Sequence, residues 1–273
     1  MKTARAEIIG YIHVCQIGKW TIPFDMIMKS VKESGLYDNC REIRIGVAND
    51  RVTIIPDERF NDTKIKIISH GPCSTYERLT LHMMRQHAEI DNCQYWYAHT
   101  KGITHFDNND LKSECVIDWI KLMIYWNFTQ WEKASSNLFN YDTCGCEYTS
   151  NPKLHYSGNF WWANSCYIRT LPKIIGPEYC DPEFWLLNRQ KNLICNIYSS
   201  GLDGGDHYYY KSNFIPCLNN KNENENNVRK LRKIKKIKNT RNTRNTRNTR
   251  NTSFNSFIFN SKKNISNKIL MKI

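Results

Sequence analysis

The chain predicts an α/β fold in which a mostly parallel sheet is flanked by helices, and three observations carry that expectation. Of 273 residues, 40% are hydrophobic, enough for a sizeable core. Short apolar runs of strand length recur along the first hundred residues, and segments with helical apolar spacing separate them. Strands alternating with helices argue for βαβ units covered on both faces. In order, Ile8 to Val14 reads as a buried strand. Pro23 to Ser34 carries Phe24, Ile27, Met28 and Val31 at helical spacing and is closed by Gly35. Arg41 to Ala48 and Lys64 to Ser69 read as the next strands, Tyr76 to Ala88 as a helix, and Gln94 to Ala98 as a fourth strand. Ser113 to Leu138 has a long helical pattern that includes Trp119, Met123 and Trp126. Thr143 to Tyr148 and Gly158 to Ala163 are further strands. A short helix over 167–171 is stopped by Pro172, and a last helix lies near 183–189.

Charge divides the chain at Pro216. Residues 1–216 hold 23 Lys and Arg against 24 Asp and Glu, a net charge of −1, whereas residues 217–273 hold 16 against 2, a net charge of +14. The expectation is a folded domain over 1–216 and a basic, low-complexity, disordered tail over 217–273, with four copies of Asn-Thr-Arg between Asn239 and Arg250. A groove-reading nucleic-acid domain would carry its basic surface on the folded part, so the charge describes the appendage. The tail is expected to touch anionic polymers or a membrane surface only weakly.

Eleven cysteines at irregular spacing, with no secretory signal in the mixed-polar Met1 to Glu7 or the short run Ile8 to Val14, read as free thiols in a reducing, cytoplasmic compartment. Cys144-Gly-Cys146 is an isolated pair rather than a zinc ligand set, and His87-Ala-Glu89 lacks the PCxxC a zinc deaminase would need. The longest apolar stretch, Val116 to Phe128, contains Asp118 and Lys121 and is short of the roughly 20 residues that span a bilayer, so no transmembrane segment is expected. The chain lacks GxGxxG, GxxxxGK[ST] and GxSxG, which argues against a Rossmann dehydrogenase, a P-loop NTPase and a serine hydrolase.

Ligands of open α/β sheets sit beyond the carboxyl ends of the strands, which directs attention to Cys15 to Gly18 and His99 to Gly102. Two segments carry the chemistry: Tyr97-Ala-His-Thr-Lys-Gly102 and His155-Tyr-Ser-Gly-Asn-Phe-Trp-Trp-Ala163. With His13-Val-Cys-Gln-Ile-Gly18, Ser34-Gly-Leu-Tyr37, Glu77 and Leu81, they resemble a family of glycosyltransferase-like proteins of large DNA viruses and some bacteria. The resemblance spans most of residues 8–190 and stops short of the tail. It implies a GT-A-like nucleotide-sugar-binding fold, a nucleotide-sugar donor, a glycan or glycoprotein acceptor, and, for a viral member, the host cytoplasm.

Where a GT-A enzyme usually has Asp-x-Asp to hold a divalent metal, this chain has His99-Thr-Lys101. A lysine can neutralise diphosphate charge directly, and Gly102 permits close backbone approach. His13, Gln16 and Gly18 are expected near the base and ribose, with His99, Thr100, Lys101 and Gly102 on the rest of the donor. Asp107 and Asp110 are weak candidates for holding Mn2+ or Mg2+. His155, Ser157, Gly158 and Asn159 are expected on the sugar or acceptor. Adjacent Trp161 and Trp162 on a strand face opposite sides, so one is expected in the core and the other stacking on a sugar. An inverting transfer needs a carboxylate base. Glu183 is the first candidate and Asp142 the second. The competing expectation is a non-catalytic carbohydrate- or nucleic-acid-binding module whose basic tail supplies the affinity.

Overall fold

A computed structural model describes residues 6–102, 105–106, 111–189, 191–212 and 214. The 217–273 tail lies outside the described residues.

Strand β1 (Ile8–Cys15) leads into helix α1 (Thr21–Glu33), a short α2 (Leu36–Asn39) and β2 (Cys40–Ala48). β3 (Ile65–Gly71), α3 (Arg78–His87) and β4 (Gln94–His99) complete the amino-terminal half. α4 (Leu111–Ile124), a π-helical turn over Tyr125–Thr129 and α5 (Trp131–Asn137) follow. The chain continues through β5 (Thr143–Cys146), β6 (Tyr148–Thr149), β7 (His155–Tyr156), β8 (Trp161–Asn164), α6 (Ser165–Ile168), α7 (Asp181–Trp185) and β9 (Ile194–Tyr198).

The seven-stranded sheet has the order β3-β2-β1-β4-β8-β5-β9, and β6 pairs with β7 in a small second sheet. Only β8 runs against its neighbours in the large sheet. The result is the expected α/β architecture, a mostly parallel sheet flanked by helices. Because successive side chains alternate between faces, Ile8, Ile12, Val14, Trp96 and Trp162 enter a core beneath α1 and α4. Ile9, Tyr11, Tyr95, Tyr97 and Trp161 enter a second core with Leu81 and Met84 of α3. Among the described residues, no helix is long and apolar enough to cross a membrane, and ten cysteines are free thiols.

Three elements differ from expectation for local reasons. The single helix expected over 113–138 is interrupted, because the Trp162 indole donates to the Asn127 carbonyl at 2.8 Å and the helix widens there into a π turn. The strand expected over 143–148 divides at Glu147, whose φ of 57° leaves the extended region. β8 begins later than expected, because Gly158 (φ 90°) and Asn159 (φ 59°) form a left-handed turn. Strand β9, with its polar Asn196 and weakly apolar Ile-Cys-Asn-Ile-Tyr composition, had no clear signature.

The topology locates a crevice. From β1 the chain moves outward to β2 and β3, then returns to place β4 on the other side of β1. The connections leaving the carboxyl ends of β1 and β4 therefore diverge, and such a switch point is where ligands bind in open α/β sheets.

Candidate functional site

A cavity of about 300 Å³ occupies that switch point. His13 and His99 are register neighbours on β1 and β4, and both rings line the cavity. His13 shares a 2.9 Å hydrogen bond between Nδ1 and Thr80 Oγ1. α3 can bring Thr80 this close because β2 has Gly46 opposite His13, where a Cβ would fall 1.9 Å from Thr80 Oγ1. Burial lowers the His13 pKa to about 4. His99 is lowered to about 3, by burial first and the nearby Lys101 ammonium second, so both rings are neutral at pH 7.

Antiparallel β8 starts where β4 ends, and this brings the second sequence motif onto the first. The turn before β8 sets the Gly158 carbonyl to accept from His99 Nε2 at 3.1 Å, while the Gly158 N–H donates to Glu183 Oε1 at 2.9 Å. One residue, through its two flanking peptides, thus ties the end of β4 to α7. A Cβ at Gly158 would lie 2.3 Å from Met123 Sδ, so this position needs glycine for both its φ and its space. Asn159 is buried and lines the cavity; its Oδ1 accepts from Trp161 Nε1 at 2.8 Å, and its Nδ2 has no partner among the described residues.

Thr100 accepts the Cys15 N–H at 2.9 Å and so joins the two strand ends. The Lys101 ammonium is held 4.0 Å from the centre of the Trp119 ring and 6.0 Å from that of Tyr208, with no carboxylate partner among the described residues. Gly102 (φ 74°) completes this rim. Glu183 is half-buried and faces the cavity, with His155 Nε2 4.0 Å from its Oε1. The site therefore combines a desolvated cation, an unpaired amide donor and an anchored carboxylate, suited respectively to anionic oxygens, polar oxygens and a proton.

Other expected residues are placed differently. Trp161 and Trp162 are both buried in the cores and neither lines the cavity, because β8 is an interior strand of a sheet covered on both faces. The Gln16 amide donates to Ile55 O at 2.9 Å and accepts from Asn49 Nδ2 and the Ile55 N–H. It braces the 49–55 loop with both ends of its amide engaged. Asp142 precedes β5, at the amino-terminal end of a strand that runs parallel to β4 and so away from the carboxyl-end cavity, and its carboxylate accepts the Leu193 N–H at 2.9 Å. Gly18 (φ 50°), His155 and Ser157 are outside the cavity lining; His155 Nδ1 donates to the Lys153 carbonyl, and the Ser157 N–H donates to Glu147 O. Asp107 and Asp110 lie outside the described residues. Among the described residues, no group of three His, Cys, Asp or Glu side chains could hold a metal ion.

Glu77, included in the resemblance without a role, also lines the cavity, with Oε1 3.4 Å from His99 Nδ1. Tyr76, Tyr179 and Tyr208 line it as well. No motif marked these tyrosines, and Tyr76 lies more than a hundred residues before Tyr179 and Tyr208, which concealed their convergence.

No family model matches the chain, and no curated protein matches it. Among solved structures, HddC from Yersinia pseudotuberculosis is similar at 9% identity over 70% of this chain and 90% of that one, with a TM-score of 0.37. A proposed nucleotide-diphospho-sugar transferase from Desulfovibrio desulfuricans G20 is similar at 10% identity over 71% of this chain and 80% of that one, with a TM-score of 0.36. Likeness at this level is too slight to carry a function across.

Proposed function

We propose that residues 1–216 form a GT-A-like glycosyltransferase domain that moves a sugar from a nucleotide-sugar donor to a glycan or glycosylated acceptor. The observation that carries this reading is the switch-point cavity, lined together by Glu183, by Lys101, whose ammonium has no carboxylate partner among the described residues, and by Asn159, whose Nδ2 has no partner among them. The resemblance of the HTKG and YSGNFWWA segments to viral and bacterial glycosyltransferase-like proteins supports it independently.

In an inverting transfer, the acceptor hydroxyl oxygen attacks the anomeric carbon and its proton passes to Glu183. The bond from the anomeric carbon to the donor phosphate oxygen breaks, and the electron pair stays on the diphosphate. Lys101 offsets that developing charge at the cavity rim, and Asn159 Nδ2 donates to a donor oxygen. Gly158 orients the carboxylate without protonating it, since the peptide N–H only donates a hydrogen bond.

Thermal unfolding against UDP-, GDP- and dTDP-sugars tests the donor assignment, because a ligand bound by the folded state alone raises the midpoint by mass action. Stabilisation by one nucleotide class is expected. An unchanged midpoint with every donor would favour a non-catalytic carbohydrate-binding module.

A further inference from the structure

Tyr76 and Tyr179 present exposed aromatic faces beside this cavity. Their rings meet at right angles with centroids 5.0 Å apart, forming a corner with one floor and one wall. Tyr76 is 39% exposed and Tyr179 is 71% exposed, although both line the cavity. Together they present adjacent aromatic faces to whatever enters the cavity mouth.

The backbone under the corner is specialised. Tyr76 adopts φ 48° and ψ −138°, outside the regions open to a residue with a side chain. Such strain persists where the surroundings impose it, and it clusters at ligand-binding positions. Arg78 supplies part of that constraint: its guanidinium lies 5.5 Å from the Tyr76 ring centre and donates to the carbonyls of Gly176, at 2.8 Å, and Glu178. One arginine therefore holds the loop bearing Tyr179 against the start of α3, beside Tyr76. The residues that follow in each segment place Glu77 and Glu183 in the same cavity.

We propose that the Tyr76–Tyr179 corner binds the acceptor, and that the acceptor presents a neutral hexose ring to it. The weakly positive C–H face of a hexose packs on an aromatic face, while carboxylates nearby accept hydrogen bonds from its hydroxyls. This inference rests on the glycosyl-transfer reading and identifies the side from which the acceptor enters: over the tyrosines, toward Glu183, with the donor diphosphate on the Lys101 side. It also supplies the stacking surface that neither buried tryptophan offers.

Saturation-transfer NMR on the full chain tests it with methyl β-D-glucopyranoside, methyl β-D-galactopyranoside and methyl α-D-mannopyranoside. At least one glycoside is expected to receive saturation on its ring protons. Tyr179→Ala should weaken its binding roughly tenfold, and Tyr179→Trp should restore it. Tyr76→Gly should also weaken binding while leaving the unfolding midpoint equal or higher, because glycine relaxes the backbone as the ring is lost; a merely structural tyrosine would lower the midpoint instead. Lys66→Ala, on an exposed part of β3, should change nothing. The proposal is overturned if no glycoside is saturated, if Tyr179→Ala and Tyr76→Gly bind as well as the parent, or if spermidine takes up saturation in place of every glycoside. Donor stabilisation in the thermal assay is read separately. A donor shift without glycoside binding sinks this inference alone, whereas glycoside binding without a donor shift sinks the transferase reading.

Discussion

The roles proposed for Lys101 and Glu183 differ by charge, and each has its own assay. Replacing Lys101 with alanine should weaken nucleotide-sugar binding on the order of tenfold or more, the worth of a charge-assisted hydrogen bond to diphosphate. Lys66→Ala is the control; Lys112 does not serve as one, since its ammonium lies only 5.4 Å from the ring centre of the cavity residue Tyr208. Equal affinities for Lys101→Ala and the control, measured by calorimetric titration, would remove Lys101 from the donor site. Glu183→Gln retains an oxygen to accept the Gly158 N–H but cannot take up a proton at neutral pH. Turnover should fall roughly 10²–10⁴-fold with donor affinity little changed. The histidines predict a pH dependence. His13 and His99 are held at about 4 and about 3, so below the ordinary histidine value the unfolded chain binds protons that the folded chain excludes. Their contribution is fully present above about pH 6.5 and is lost as pH falls, through about 4 for His13 and about 3 for His99. The unfolding midpoint should therefore drop across that window, and His99→Gln should make the drop shallower. A slope identical to the parent would show that His99 is protonated equally in both states.

At the scale of elements, the site depends on segments that meet through buried polar contacts. Glu147, buried and with positive φ between β5 and β6, accepts the Ser200 N–H at 2.6 Å, the Ser200 hydroxyl at 2.8 Å and His207 Nε2 at 3.1 Å. It thereby anchors the 199–208 segment, which stacks His207 on Trp119 at 4.6 Å and delivers Tyr208 to the cavity. Glu147→Ala should cost on the order of 3 kcal/mol, because buried donors lose a charged acceptor, and should expose the Ser200 amide to hydrogen exchange. A denaturation midpoint within error of the parent would exclude this anchoring role. Elements with strong periodicity were legible in the sequence: β1, α1, β2, β3, α3 and β4 lie within a few residues of expectation. The π turn at Tyr125–Thr129, the break at Glu147 and edge strand β9 were not, because each is set by a partner distant in sequence rather than by local propensity.

For the molecule as a whole, the division of charge predicts a division of labour. A chain truncated after Pro216 should fold and retain its donor affinity, since the 217–273 segment carries the +14 charge and little apolar periodicity. Any affinity of the full chain for nucleic acid should disappear with that segment and fall steeply with salt, as counterion release requires. Unfolding of the truncated protein, seen by circular dichroism, would move the boundary. By itself the sequence determined the α/β class, the order of the first strands and helices, and the two segments that carry His99, Lys101, Asn159 and Glu183's partner Gly158. Hydrophobic periodicity and turn residues are local properties, and they are written where they act. Only the tertiary structure decided that antiparallel β8 lays one segment onto the other, that both tryptophans are core residues, that Gln16 and Asp142 serve the scaffold, and that Tyr76 and Tyr179 share a corner. Those outcomes follow from strand order and from the covering of both sheet faces, which depend on the free energy of the whole packed chain and leave no mark at any single position.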